Sequence, residues 1–97
     1  MSTVSRSGGQ PGRIYYPYRR GVAVTAAYLK VEGRTIEIRD LAQVGWVRGR
    51  PPATWQLWGL QLGEHTLLWV CADETEFFQV GRALQRAIEA HRERTLY

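Results

Sequence analysis

Two stretches rich in tryptophan, leucine and valine, Thr54 to Leu62 and His65 to Ala72, flank the pair Gly63-Glu64. Glycine at the first position of a two-residue turn suits type II′, so the stretches read as the arms of a β-hairpin. That register sets Leu60 against Leu67 and Trp58 against Trp69 on one face. On the other it sets Leu57 against Val70 and Trp55 against Ala72. A half-buried hairpin needs one apolar face, because its other side meets water. This one has two. One face therefore requires a cover from elsewhere in the chain. The other is either enclosed by curvature of the sheet or turned toward a partner.

The cover follows directly. Asp73 to Arg94 carries Phe77, Val80, Leu84, Ala87, Ile88 and His91 at helical spacing, with Gln79, Arg82, Gln85, Arg86, Glu89 and Glu93 largely off that stripe. Asp73 suits the N-cap, with Glu76 at the capping-box position. Glu74 favours the positive end of the helix dipole, and Arg92 and Arg94 favour the negative end. Full burial of Phe77, Leu84 and Ile88 contributes about 1.5–3 kcal/mol each, which fastens such a helix to a sheet.

Upstream, Val22 to Glu32 and Arg34 to Arg39 read as two strands turning at Glu32-Gly33. Leu29 then faces Ile36 and Ala27 faces Ile38 on an apolar side. Tyr28 faces Glu37 and Lys30 faces Thr35 on a polar side, the alternation an antiparallel pair requires. Asp40 to Gln43 reads as a single capped turn, and Val44 to Arg50 as a linking strand that ends at Pro51-Pro52-Ala53. The fold expected is α+β: an antiparallel sheet of two hairpins plus a linking strand, packed by one C-terminal amphipathic helix.

Charge divides the chain at residue 20. Arg6, Arg13, Arg19 and Arg20 stand there with no acidic residue, whereas beyond it nine basic groups meet nine acidic ones. Residues 1–20, with a Ser/Gly/Pro-rich start, read as a flexible basic tail, and 21–97 as a single domain. The segment holds no apolar signal stretch, and the run Leu67 to Ala72 is far too short to cross a bilayer. A single cysteine, Cys71, fits a reducing compartment, so a cytoplasmic location is expected.

The stretches VAVTAAYLKVEGRTIEIRDLAQVGWVRG, Val22 to Gly49, and ADETEFFQVGRALQRAIEA, Ala72 to Ala90, resemble the opening and the closing helix of small bacterial pleckstrin-homology-like domains. They look like one such family of actinobacterial proteins of unknown function. The resemblance implies a PH-like fold and brings no catalytic residues with it. Members of that family commonly carry hydrophobic membrane segments between the two halves. Here Arg50-Pro51-Pro52-Ala53-Thr54 stands in that place.

No constellation for catalysis or cofactor binding emerges. His65, His91 and Cys71 lack ligand spacing, so no metal is expected. Arg48 to Pro52 lacks the lysine and following helix of a phosphate loop. Glu74 and Glu76 are accounted for by helix capping. Two binding surfaces remain. If the helix covers the Trp58–Trp69 face, then Trp55, Leu57 and Val70 form an interface for a second copy or another protein, with Trp55 as anchor. The alternative is an anion site for acidic lipid head groups or nucleic acid. It would use Arg13, Arg19 and Arg20 among Tyr15, Tyr16 and Tyr18, together with Arg48 and Arg50 beside Arg34 or Arg39. A non-enzymatic interaction or scaffold module, self-associating as a homodimer, is the expectation.

Overall fold

The computed structural model describes residues 13–49 and 54–95. Three X-Gly pairs reverse the chain: Arg20-Gly21, Glu32-Gly33 and Leu62-Gly63. Their first residues have φ of 52°, 45° and 49°, and their glycines 83°, 86° and 86°. Two successive left-handed residues make a type I′ turn, whose twist matches that of the strands it joins. The pairs connect β1 (Ile14–Arg19) to β2 (Val22–Thr25), β3 (Tyr28–Val31) to β4 (Arg34–Glu37), and β6 (Trp55–Gln61) to β7 (Glu64–Cys71). A 3-10 turn, Ile38–Asp40, leads into β5 (Leu41–Arg48), and α1 (Glu74–Thr95) follows all the strands.

The strands form two antiparallel meanders, β1-β2-β3-β4 and β5-β6-β7. With one C-terminal helix, the architecture is α+β. The β3–β4 hairpin has the register expected from its polarity: Leu29 opposite Ile36, Tyr28 opposite Glu37, Lys30 opposite Thr35. Pairing continues past the strand ends, because the Ile38 amide donates to the Ala27 carbonyl at 3.0 Å.

Three expectations are corrected. Val22 to Glu32 is two strands rather than one. Thr25 Oγ1 accepts the amides of Ala27 and Tyr28 at 3.1 Å each, which turns the chain at Ala26-Ala27. Residues 13–20 are no tail: Ile14–Arg19 pairs with β2, and Tyr16 is buried. Pro17 is tolerated there because β1 is an edge strand. Residues 1–12, the rest of the segment read as flexible, lie outside the described residues, as do Arg50 and residues 51–53. The turn assigned to Asp40–Gln43 lies earlier, and Leu41 already belongs to β5.

The β6–β7 hairpin also departs from its expected register. Its turn is Leu62-Gly63, one residue earlier, so Leu60 faces His65 and Trp58 faces Leu67. A bulge then shifts the pairing, and Leu57 meets Trp69, Gln56 meets Val70 and Trp55 meets Cys71. The extra residue at Leu67–Leu68 exchanges the faces of everything beyond it on β7. Trp69 consequently joins Leu57 inside, and Val70 turns outward.

Asp73 caps α1, its Oδ1 accepting the Glu76 amide at 3.0 Å. The helix buries Phe77, Val80, Ala83, Leu84, Ala87 and Ile88. These meet Val22, Val24, Leu29, Val31 and Ile36 of the first sheet and Leu57, Leu68 and Trp69 of the second in one core. Phe77 lies between two indoles, stacked with Trp55 at 5.6 Å and with Trp69 at 6.0 Å. Gly59 is required where it stands. A Cβ there would meet Leu68 Cδ1 at 2.8 Å and the Gln43 carbonyl oxygen at 3.2 Å.

Candidate functional site

Alternation along β5, β6 and β7 separates the second sheet into two faces. The inner one presents Trp55, Leu57 and Gly59 of β6 with Leu68, Trp69 and Cys71 of β7, covered by α1. The outer one presents Gly45 and Val47 of β5, Gln56, Trp58 and Leu60 of β6, and His65, Leu67 and Val70 of β7. No carboxylate, lysine or arginine stands among these outward positions. Val47 is 52% exposed, Leu67 37% and Val70 38%, while Trp58 and Leu60 are half-buried.

Trp58 occupies the middle of this face. Its indole Nε1 donates to Gln56 Oε1 at 3.0 Å, so the polar end of the ring is satisfied within the strand and the apolar body remains available. Gly45 stands opposite Trp58 with open space where a side chain would be, which deepens the surface. The result is a shallow groove of about 480 Å³ lined by residues that include Trp46, Val47, Trp58, Leu60 and His65.

Of the expected interface residues, only Val70 is on the exposed face. Leu57 is fully buried, and Trp55 lies under the helix against Phe77 and Phe78. The error was to assign the helix to the wrong side of the hairpin. Gly59 carried the missing signal: a glycine inside a strand marks close approach, and Leu57 and Trp55 share its parity. Trp58, Leu60 and Leu67, expected under the helix, stand instead on the outer face, where Val47 joins them.

The arginines do not converge. Arg13 lies over the Tyr15 ring at 5.0 Å, and Arg48 over Trp55 at 5.3 Å. Arg13 precedes β1 and Arg19 ends it, about 20 Å apart at the rise of an extended strand. Arg20 pairs with Glu76 at 3.5 Å and Arg39 with Glu37 at 2.7 Å. Arg34 donates to the Leu68 carbonyl at 2.7 Å. The hollow beside Arg19 and Arg20 also contains Asp73 and Glu76, so its cations already face carboxylates. Arg50 lies outside the described residues.

Glu76 is the hub of a small polar cluster under the start of α1. It accepts the Tyr16 hydroxyl at 3.2 Å, and Cys71 Sγ lies 3.9 Å from its other oxygen. Burial pushes the Tyr16 phenol above its ordinary value of 10.0. The Glu76 carboxylate adds to the shift, and Arg19 and Arg20 partly offset it. Burial likewise raises the Cys71 thiol above 9.0, with the charges of Glu76 and Asp73 adding. A thiol so shifted is a poor nucleophile at neutral pH, in keeping with a packing role.

Among the described residues no three His, Cys, Asp or Glu side chains gather as a metal site. No helix there is long and apolar enough to cross a membrane. Comparison with family models, with curated proteins and with solved structures finds no match to this chain.

Proposed function

We propose that this chain is a non-enzymatic protein–protein interaction module of PH-like architecture that docks through the outer face of β5–β6–β7. The observation that carries the reading is the uncharged face of Val47, Trp58, Leu60, Leu67 and Val70 on a sheet whose other side already packs the core. Contiguous apolar surface of this kind marks interaction sites, and a tryptophan with its N–H satisfied is a suitable anchor. The order of four strands, three strands and a closing helix supports the PH-like reading. An anion-binding module is less well supported, because Arg13 and Arg48 lie over separate rings, and the hollow that Arg19 and Arg20 share also holds Asp73 and Glu76.

A photo-crosslinking residue placed at Leu67 in cells, with a control at Glu89 on the exposed side of α1, tests the proposal. Discrete covalent adducts at Leu67 and none at Glu89 are expected. Adducts at neither position, or equally at both, would refute docking through this face.

A further inference from the structure

We infer that the occupant of the β5–β6–β7 face is a second copy of this chain, the two sheets packed face to face about a two-fold axis with Leu62 as the outlying anchor. The inference rests on the interaction reading above and adds the identity of the partner.

Charge gives the first argument. An isologous interface places each residue of a patch near residues of the same patch, so a charged patch repels itself. The outward positions here hold no fixed charge, and His65 is their only ionisable group. A partner selected by charge would find nothing to pair with, whereas a second copy meets no repulsion.

Leu62 gives the second. It occupies the first position of a type I′ turn at φ 49°, where Asn, Asp or Gly avoids the strain a branched apolar side chain incurs. The equivalent positions of the other two I′ turns carry Arg20 and Glu32, polar residues suited to an exposed tip. Leu62 is 75% exposed, so its side chain gains little from its own chain in return for that strain. It also stands at the hairpin tip, two residues beyond Leu60 at the end of the outward row. With the β6 strands antiparallel across the interface, Leu62 of one copy lies over the Val47–Val70 end of the other. Symmetry makes that contact twice.

Size sets the strength. Three strands about 4.8 Å apart and a row from Gln56 to Leu62 rising about 3.3 Å per residue give a face of about 14 by 20 Å. That is well below the roughly 800 Å² per partner of a standard stable interface, so the dimer is weak and concentration-dependent. A row this short cannot spare its end residue.

Sedimentation of the full chain from about 1 µM to 1 mM is the test, repeated at about 0.05 M and 1 M salt. A reversible monomer–dimer equilibrium in the micromolar range, no weaker at high salt, is expected. Leu62→Asn should weaken dimerisation about tenfold or more while raising the urea midpoint of the monomer, because asparagine accepts the left-handed turn. Those opposite signs separate a docking role from a folding role. Leu67→Arg should abolish the dimer with an unchanged circular dichroism spectrum. A wild-type chain that stays monomeric to about 1 mM, or a Leu62→Asn chain that dimerises as before, overturns the inference. If the monomer persists while Leu67 crosslinks to a different protein in cells, the second copy is refuted and the interaction reading stands. If no crosslink forms, both fail.

Discussion

The guanidinium of Arg34, on the edge strand β4, donates to the main-chain carbonyl of Leu68, on the edge strand β7, at 2.7 Å. The Leu67 carbonyl lies at 3.5 Å from the same nitrogen. One side chain thus ties the first sheet to the second at the bulge where the regular β6–β7 pairing is broken. The bulge turns Trp69 into the core and Val70 to the surface, so Arg34 supports the residues that divide the two faces.

Replacing Arg34 by methionine keeps the apolar stem and removes the donors. The expected loss is about 1.5 kcal/mol, the low end for a hydrogen bond to a charged group, since Arg34 is otherwise exposed. Lysine should recover part of it. Urea denaturation of the three chains measures both, and equal midpoints would show that the link contributes nothing.

Two glycines of the second sheet should respond oppositely to alanine. At Gly59 the new methyl runs into Leu68 and the Gln43 carbonyl, and a cost of about 1–3 kcal/mol is expected for overpacking. At Gly45 no atom lies within 4 Å of the new carbon. There alanine should change stability by no more than about 0.5 kcal/mol and in the favourable direction, since glycine weakens a strand. Thermal unfolding of the two variants gives the comparison.

Alkaline pH should weaken the fold in two steps. Cys71 and Tyr16 both have folded-state pKa values raised above 9.0 and 10.0, so between each ordinary value and its raised one the native chain holds the proton more tightly than the unfolded chain. The stabilisation is fully present below those ordinary values and falls as pH rises through the shifted ones. Cys71→Ala should remove the earlier part of the decline and Tyr16→Phe the later part. Tyr16→Phe also loses a hydrogen bond to the Glu76 carboxylate, about 1.5 kcal/mol, the low end for a bond to a charged group. Identical alkaline limbs in wild type and variants would exclude these groups as the cause.

The helix and the β3–β4 hairpin were legible in the sequence because each has one polar and one apolar side. In β3–β4, a slip of one residue would put Leu29 and Ile36 into water, so polarity sets the register. The β6–β7 hairpin gives no such penalty. With apolar residues on both sides, burial does not choose between a turn that begins at Leu62 and one that begins at Gly63, and a bulge leaves no trace in composition. The Val22–Glu32 run hid its reversal because Ala26-Ala27 has no turn signature, and the turn depends on the Thr25 hydroxyl. The candidate surface was misplaced for a different reason: α1 covers the Trp55–Leu57 side of β6 rather than the Trp58–Leu60 side, which leaves Trp58, Leu60 and Leu67 outside.

Phe77, which separates the indoles of Trp55 and Trp69, lies in an element that follows every strand. During synthesis both sheets leave the ribosome before their cover exists, and for that interval the inner and outer faces of β6 are bare together. A nascent chain at this stage exposes tryptophan on both sides of one strand, the kind of surface that aggregates or engages a chaperone. Arrival of α1 covers the inner face and leaves the outer one, with Val47, Leu67 and Val70, open to solvent.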